Sequence, residues 1–534
     1  MKREYIILCY LFAIFSTSLI GQEDDGFSKA LNDINQSVLK AQLGFLASDW
    51  TEGRETGTKG ELLSADYIAS LLQLYGVKPG GDFPQPRGYV NIQEGKERTY
   101  FQNFNLLKTS SGEEQVLKIK TSEGSSSRIE ICTYNVDFTL WPGNKSVETE
   151  APVVFAGYGF KNDKLKHDDF GKLDLKGKFI LKVSGSPAYA REELSPSELS
   201  AATREAENIA KKMGAAGILE VNPNAETAGF QPSARRPELS PAERNPSSGR
   251  PFANYELAGK TSDDYFPMIQ ISVKTANEIL SGAGIILDDF VKKAGEDRFY
   301  PIPAVRGKSI YLKTSVKSEI VRARNVIGII EGKNPDQIIV LGAHYDHLGS
   351  ANGYIWNGAD DNGSGTTGVL TIAKAVTETR VKPEKTLIFA LWTAEEEGLL
   401  GSKYYVENLP YPKSSLRLNV NFDMISRYIS DNDTKKVIMT YTDLCPEFKQ
   451  MTEANLKKYG IDLNVEYQPM KDPSGGSDHR SFSAIGIPIM RFKPGHREQY
   501  HTPADEVNTV NWDIMEKIVK ISFANVWELA NSTW

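Results

Sequence analysis

From about residue 318 onward the chain alternates short, nearly uninterrupted apolar runs with amphipathic stretches, and no other feature constrains its fold as tightly. The runs NVIGIIEG, QIIVLGAHYD, TLIFALWT, LRLNVNFDM, KVIMTY and IPIMRF have the length of strands. They lack the apolar–polar alternation of a strand wet on one face, so both faces are expected to be covered. Between them GTTGVLTIAKAVTET, LLGSKYYVEN, PEFKQMTEANLKKYG and NWDIMEKIVKISFANVWELA place apolar residues at helical spacing. The pattern predicts an α/β fold, a doubly wound, mostly parallel mixed sheet with helices on both faces. Such sheets bind their ligands beyond the carboxyl ends of the strands.

The rest of the 534 residues fits around this block. At the N-terminus, MKREYIILCYLFAIFSTSLIGQEDD sets Lys2 and Arg3 before an apolar stretch too short for a comfortable membrane span. This reads as a signal peptide over 1–21 and predicts a secreted or periplasmic protein with no membrane span after its removal. Residues 22–129 hold a helical pattern, LLSADYIASLLQLYGV, closed by Gly76. Residues 130–300 carry short β-like runs (APVVFAGYGF, GKFILKVSG, GILEVN, FPMIQISV) and one helix-like stretch, AENIAKKMGAAG. They are expected to form a smaller, β-rich α+β domain inserted before the 301–534 block. The Pro-, Ser- and Arg-rich tract from about 222 to 262 reads as a long loop. A net charge of −7 leaves no basic footprint for nucleic acid. Only three cysteines occur, one inside the signal segment, which excludes a disulfide scaffold and a CxxC metal motif.

Four of the six predicted strands of the last block run into residues that ligate metals. QIIVLGA leads to His344, Tyr345, Asp346 and His347; TLIFALWTA to Glu395, Glu396 and Glu397; LRLNVNF to Asp423; IPIMRF, through a loop, to Tyr500 and His501. A turn-rich segment, NGADDNGSG, carries Asp360 and Asp361 ahead of a helix. Five of the six histidines lie between 344 and 501; the sixth, His167, reads as a surface residue. Taken singly, each has an ordinary explanation: helix-start acids, turn caps, loop histidines. Together they bring several carboxylates to one sheet edge, where mutual repulsion would raise their pKa values unless a cation joined them. Imidazole and carboxylate without thiolate suit catalytic zinc, with manganese or cobalt as substitutes.

In this order GAHYDHLG, NGADDNGSG, AEEEGLLGS, NFDM, GGSDHRSF and YHTPADE resemble the co-catalytic zinc aminopeptidases. That family also includes glutamate carboxypeptidase II and the inactive transferrin receptor. The resemblance spans roughly 318 to 534. LASDWTEGRETGTKGELLSADYIASLL is similar to the opening of the family's phosphorylase/hydrolase-like peptidase domain, and 130–300 to the protease-associated (PA) domain often inserted there. The resemblance implies two zinc ions: one held by His344, Asp361 and Asp423, the other by Asp361, Glu396 and His501, with Asp361 bridging. It makes Glu395 the general base, Asp346 a carboxylate orienting His344, and Tyr500 a group polarising the scissile carbonyl. It implies a cis Asp361–Asn362 peptide. The register E-E-x-G-L assigns the pair to Glu395 and Glu396 and leaves Glu397 as a helix-start acid.

The implied activity is hydrolysis of N-terminal residues from peptides with a free N-terminus. A carboxypeptidase or glutaminyl cyclase on the same fold, or an inactive receptor-like binding module, are the alternatives. Retention of both His344 and Asp423 argues against the one-zinc cyclases. Ser477, Asp478 and His479 are expected to line the pocket or to serve as loop hydrogen bonders. For Arg491, the choice is between binding a substrate carboxylate and forming a salt bridge, with the latter favoured. His347 is left between supporting a ligand and facing substrate. Asn362-Gly-Ser is a glycosylation sequon beside the bridging aspartate, which favours a bacterial source.

Overall fold

The computed structural model describes residues 26–84, 97–140, 143–171, 173–224, 253–260, 265–298, 300–351, 353–429, 432–473, 475–495 and 498–534. The expected signal segment and most of the Pro- and Ser-rich tract lie outside them. The chain clusters into two units, Met1–Asn105 with Val321–Trp534, and Leu106–Ile320.

The sheet of the first unit is built from the part of β1 (Lys308–Ile330) that follows Ile320, with β2 (Asn334–His344), β3 (Lys385–Trp392), β4 (Leu416–Phe422), β5 (Lys436–Thr442), β6 (Asn464–Met470) and β7 (Ile489–Lys493). Their order is β6-β5-β7-β4-β2-β3-β1. The neighbours β3, β2, β4 and β7 run parallel, as do β5 and β6. The β5–β7 pair is antiparallel, and Val326–Ile330 of β1 lie antiparallel to β3.

The continuous apolar character of these strands follows from two separate cores. Along β3, Leu387, Phe389 and Leu391 enter one core while Ile388, Ala390 and Trp392 enter the other. The first core is closed by α1 (Gln36–Leu46), α2 (Lys59–Leu74), α3 (Gly365–Glu378), α5 (Glu447–Lys458) and α7 (Trp512–Asn531). On the opposite face, α4 (Leu400–Glu407) and α6 (His479–Ser483) contribute Tyr405 and Phe482. Each fully buried Leu, Ile or Phe adds roughly 1.5–3 kcal/mol, so both faces of the sheet hold the strand ends rigidly.

In the second unit, Val147–Phe155, Phe179–Val183, Gly217–Val221 and Met268–Ile271 run parallel, with Phe138–Leu140 antiparallel at the edge. Its own core includes Phe155, Leu181, Leu219, Ile269 and Phe290. Helix Pro196–Lys212 starts on a full capping box between Ser195 and Glu198. The unit spans Leu106–Ile320, where the sequence pattern marked 130–300.

Two sequence expectations change here. Ala253–Leu257, inside the expected loop, is a strand paired with Leu106–Ser110. Its short alternation buries Tyr255 and Leu257 but is hidden in the sequence by the Pro- and Ser-rich residues before it. His167 is buried, not superficial. Its Nε2 lies 2.7 Å from Asp169 Oδ1 and its Nδ1 2.6 Å from the Tyr189 hydroxyl. A buried imidazole needs such partners, and an Asp two residues on supplied the signal.

Candidate metal centre

Because β3, β2 and β4 are adjacent and parallel, their carboxyl ends reach one edge together. His344 ends β2 in register with Trp392 at the end of β3, and Asp423 directly follows β4. The irregular turn Ala359–Ser364, which opens α3, brings Asp361 to the same place. The Asp361–Asn362 peptide is cis.

Asp361 stands between two imidazoles. One of its oxygens lies 3.4 Å from His344 Nε2 and the other 3.1 Å from His501 Nε2. The two glutamates divide in the same way. Glu395 Oε2 and Asp423 Oδ1 lie 3.8 and 3.9 Å from His344 Nε2. Glu396 Oε2 lies 3.2 Å from His501 Nε2, while its Oε1 lies 2.6 Å from His347 Nδ1. Donor atoms of His344, Asp361 and Glu396, and of His344, Glu395 and Asp423, converge within 4.8 Å. All five residues expected to hold metal, together with Glu395, thus meet in one place. Ala394, Met424 and His501 adopt left-handed φ values of 56, 58 and 57° beside these groups. Non-glycine residues pay about 1–3 kcal/mol for such backbone, and the sheet beneath them supplies the support.

Residues 325–526 match the model for Peptidase family M28. This stretch is an M28 peptidase domain. Leupeptin-inactivating enzyme 1 of Streptomyces exfoliatus is 35% identical over 171 residues, covering 31% of this chain and 34% of that protein. Aminopeptidase Y of Saccharomyces cerevisiae is 28% identical over 242 residues, covering 42% of each chain. The chain therefore spans well under half the length of these relatives. Among solved structures, the aminopeptidase from Aneurinibacillus sp. strain AM-1 superimposes with a TM-score of 0.58 at 19% identity, covering 95% of this chain and 96% of its own. BSAP, a zinc aminopeptidase from Bacillus subtilis, does so with a TM-score of 0.54 at 20% identity, covering 94% of this chain and 97% of its own. The chain has the fold of these proteins.

Three groups hold the loops of the M28 domain in place, the expected Asp346 and two, Asp505 and Arg54, outside the expected set. The Asp346 carboxylate accepts the backbone N–H groups of Glu395 and Glu396 at 3.2 and 3.3 Å, and lies 3.6 Å from His344 Nδ1. It thereby ties the β2 end to the β3 end. Asp505 accepts the N–H groups of Asp360 and Asp361 at 3.0 Å each, and the Arg427 guanidinium at 2.7 Å. Asp360 in turn receives the Ser426 amide and hydroxyl at 2.9 and 2.7 Å. The third is Arg54, fully buried, which donates to the carbonyls of Tyr345, Asn357 and Gly358 at 2.6, 2.7 and 3.0 Å and to that of Leu46. Sequence reasoning gave no role to Arg54, Arg427 or Asp505. Their available signals were a basic residue inside the WTEGRETG turn and an acid four residues beyond His501.

The field of the site draws positive charge. Burial opposes protonation of His501, yet Glu396 and Asp361 push it up to about 11. His344 is raised likewise against its burial, first by Glu395 and then by Asp346, Asp361 and Asp423. Burial works against ionisation of Glu396, but His501 and His347 outweigh it and bring the carboxyl down to about 2. Glu395 goes the other way: burial, reinforced by Glu396, Asp478 and Asp423, raises it well above the carboxylate range. Adjacent glutamates thus split into an ionised, doubly engaged carboxylate and one that holds its proton readily. Three carboxylates and two imidazoles with this demand for charge fit divalent cations.

The remaining expected residues lie around this centre. Tyr500 is partly exposed and stacks on the His501 ring at 3.8 Å between centroids. His347 is buried against Glu396. Ser477, Asp478 and His479 are buried; the Ser477 hydroxyl accepts from Asn421 Nδ2 at 2.8 Å. Arg491 is buried beside His479.

Proposed function

We propose that the protein is a two-zinc exopeptidase that removes N-terminal residues from peptides. The observation that carries this reading is Asp361, which offers one oxygen toward each of two imidazoles, those of His344 and His501. His344, Asp361 and Asp423 would hold one ion; Asp361, Glu396 and His501 the other, with Asp361 shared. Manganese or cobalt can substitute on this oxygen and nitrogen donor set. When bound, such a pair acts as a Lewis acid toward a carbonyl oxygen and lowers the pKa of water.

The chain's own groups do the rest. Both oxygens of Glu396 are engaged, by His347 and His501, so it serves as a ligand. Glu395 has a raised affinity for protons and is not paired to His347 or His501; it takes the proton of the attacking water and delivers it to the leaving nitrogen. Asp346 fixes the backbone of both glutamates and backs His344, which orients base and ligand together. Tyr500, on the open side of His501, donates to the carbonyl oxygen as it gains charge. The Leu106–Ile320 unit is read as a PA domain, and the N-terminal apolar stretch as the export signal of a secreted or periplasmic, bacterial protein.

The test is mass-spectrometric digestion of a peptide mixture by zinc-loaded protein, each peptide present free and N-acetylated. Stepwise shortening from free N-termini alone is expected. Shortening of acetylated peptides from the other end would transfer the reading to a carboxypeptidase, and no cleavage at all would refute hydrolysis.

A further inference from the structure

Near the metal centre, Arg491 does not form the salt bridge favoured from the sequence but donates to His479 Nδ1 at 3.2 Å. Burial and the adjacent guanidinium push His479 down to about 3, so it stays neutral and accepts. In the second unit, by contrast, a strand edge is left open. Ser126–Cys132 pairs on one side with Leu117–Glu123, and among the described residues no strand pairs with its other side.

The direction of the open groups follows from the turn. Glu123 and Ser126 flank a two-residue turn, Gly124-Ser125, with Gly124 at φ 61°, the position that a type II′ turn reserves for glycine. Glu123 and Ser126 are then a hydrogen-bonded pair, and antiparallel pairs alternate from there. Arg128, Glu130 and Cys132 turn their N–H and C=O groups toward the paired strand; Ser127, Ile129 and Ile131 turn theirs to the open edge. Ile129 and Ile131 are also 54% and 69% exposed. Edge strands are commonly blunted with lysine or proline, and SSRIEIC contains neither.

The charges of this strand select what can pair with it. A second copy laid antiparallel about a two-fold axis at Ile129 sets Ile129 against Ile129, Ser127 against Ile131 and Arg128 against Glu130. Outward groups meet outward groups, so the ladder closes. Each Arg128 stands opposite the other copy's Glu130 in a non-hydrogen-bonded pair, where side chains come closest and opposite charges add roughly 0.2–1 kcal/mol. Moving the axis to Arg128 or to Glu130 keeps the ladder but sets like charges face to face, which is destabilising. Within its own copy Arg128 touches Glu278, yet its side chain is 62% exposed and its five-donor fork has capacity left.

We infer that this edge is an interface between two copies of the chain, which pair Ser126–Cys132 antiparallel about Ile129 and so join their sheets. A strand pair of 7 residues is below the size of a permanent interface, so the association is a concentration-dependent one in the micromolar range.

Sedimentation velocity from about 1 to about 100 μM tests this on the full chain. The average mass of wild type is expected to rise toward twice that of the monomer, and Ile129→Lys, which sets two like charges on the axis, is expected to stay monomeric. Cysteine cross-linking reads the register. Hydrogen-bonded pairs hold their Cα atoms about 5.5 Å apart, within disulfide reach. Ile129→Cys is therefore expected to link to itself under mild oxidation, Ile131→Cys alone not to, and a mixture of Ser127→Cys with Ile131→Cys to link; wild type is the control. The three positions are exposed, so the variants keep the fold. Wild type that stays monomeric throughout overturns the inference, as does a dimer that Ile129→Lys leaves intact. Linking of Ile131→Cys alone as readily as Ile129→Cys overturns the pairing about Ile129.

Discussion

Replacing Arg54 by Met keeps the length of the side chain and removes its charged head. Four buried carbonyls, of Leu46, Tyr345, Asn357 and Gly358, then lose a donor. The Leu46 and Gly358 carbonyls keep a second donor, the Thr51 hydroxyl and the Gly363 N–H, so two groups are stranded, and at roughly 1–3 kcal/mol each the loss is about 2–6 kcal/mol. This brackets the about 3–5 kcal/mol of breaking one member of a buried charged network. For a unit of this size that lowers Tm by about 6–10 °C. Three of the carbonyls, of Tyr345, Asn357 and Gly358, belong to the segments carrying His344 and Asp361, so the loss is expected to extend to metal binding. A weakening of zinc affinity by roughly 10- to 100-fold is expected, as for other groups that orient ligands. Scanning fluorimetry gives the first number, and competition with a chelator of known affinity gives the second. A variant with wild-type zinc affinity but lowered Tm would confine Arg54 to stability, and one unchanged in both would refute the clamp altogether.

Glu395→Gln is expected to retain zinc and to slow turnover by about 10²–10⁴-fold, whereas Glu396→Gln is expected to lose zinc; metal analysis of the two proteins distinguishes ligand from base. His479 is held neutral in the fold, so the unfolded chain takes up a proton there first. Its contribution to stability is present above about pH 6.5 and is lost as pH falls toward 3, and the melting temperature of His479→Gln should fall less steeply over that window than that of wild type. Burial pushes the Cys132 and Cys445 thiols up to about 12 and about 11. Neither is expected to react with a disulfide reagent at pH 7.5 until denaturant is added; rapid labelling of the folded protein would contradict this.

The parts of this molecule that could be read from the sequence are those that repeat a local rule. Strands such as TLIFALW declare themselves because both faces are buried, and Leu387 and Ile388 do enter different cores. His344, Asp361, Glu395, Glu396, Asp423 and His501 were found because each follows a strand or turn, and parallel neighbours bring such ends together. Arg54 was not, since nothing local requires a guanidinium there. Three of its four acceptors are carbonyls 291 to 304 residues away, and any residue type can present a carbonyl. Asp505 escaped for the same reason: it holds backbone amides, which leave no mark in composition. Arg491 was read as half of a salt bridge because that is the common fate of buried arginine, and only the three-dimensional neighbourhood shows a neutral partner.

The four-residue spacing between His501 and Asp505 links two tasks on one short loop. His501 faces the Asp361 carboxylate, and Asp505 holds the peptide N–H of the same aspartate together with that of Asp360. Asp505, Arg427, Asp360 and Ser426 form an internal network that needs no metal to close. The shape of the site is thus maintained separately from its chemistry. A descendant of this chain can discard His501 or Glu396 and still inherit a properly held Asp360–Asp361 turn. On the proposed reading, a related sequence that lacks the histidine and retains the aspartate is expected to keep the frame without the hydrolysis, and one that lacks the aspartate to have lost the frame itself.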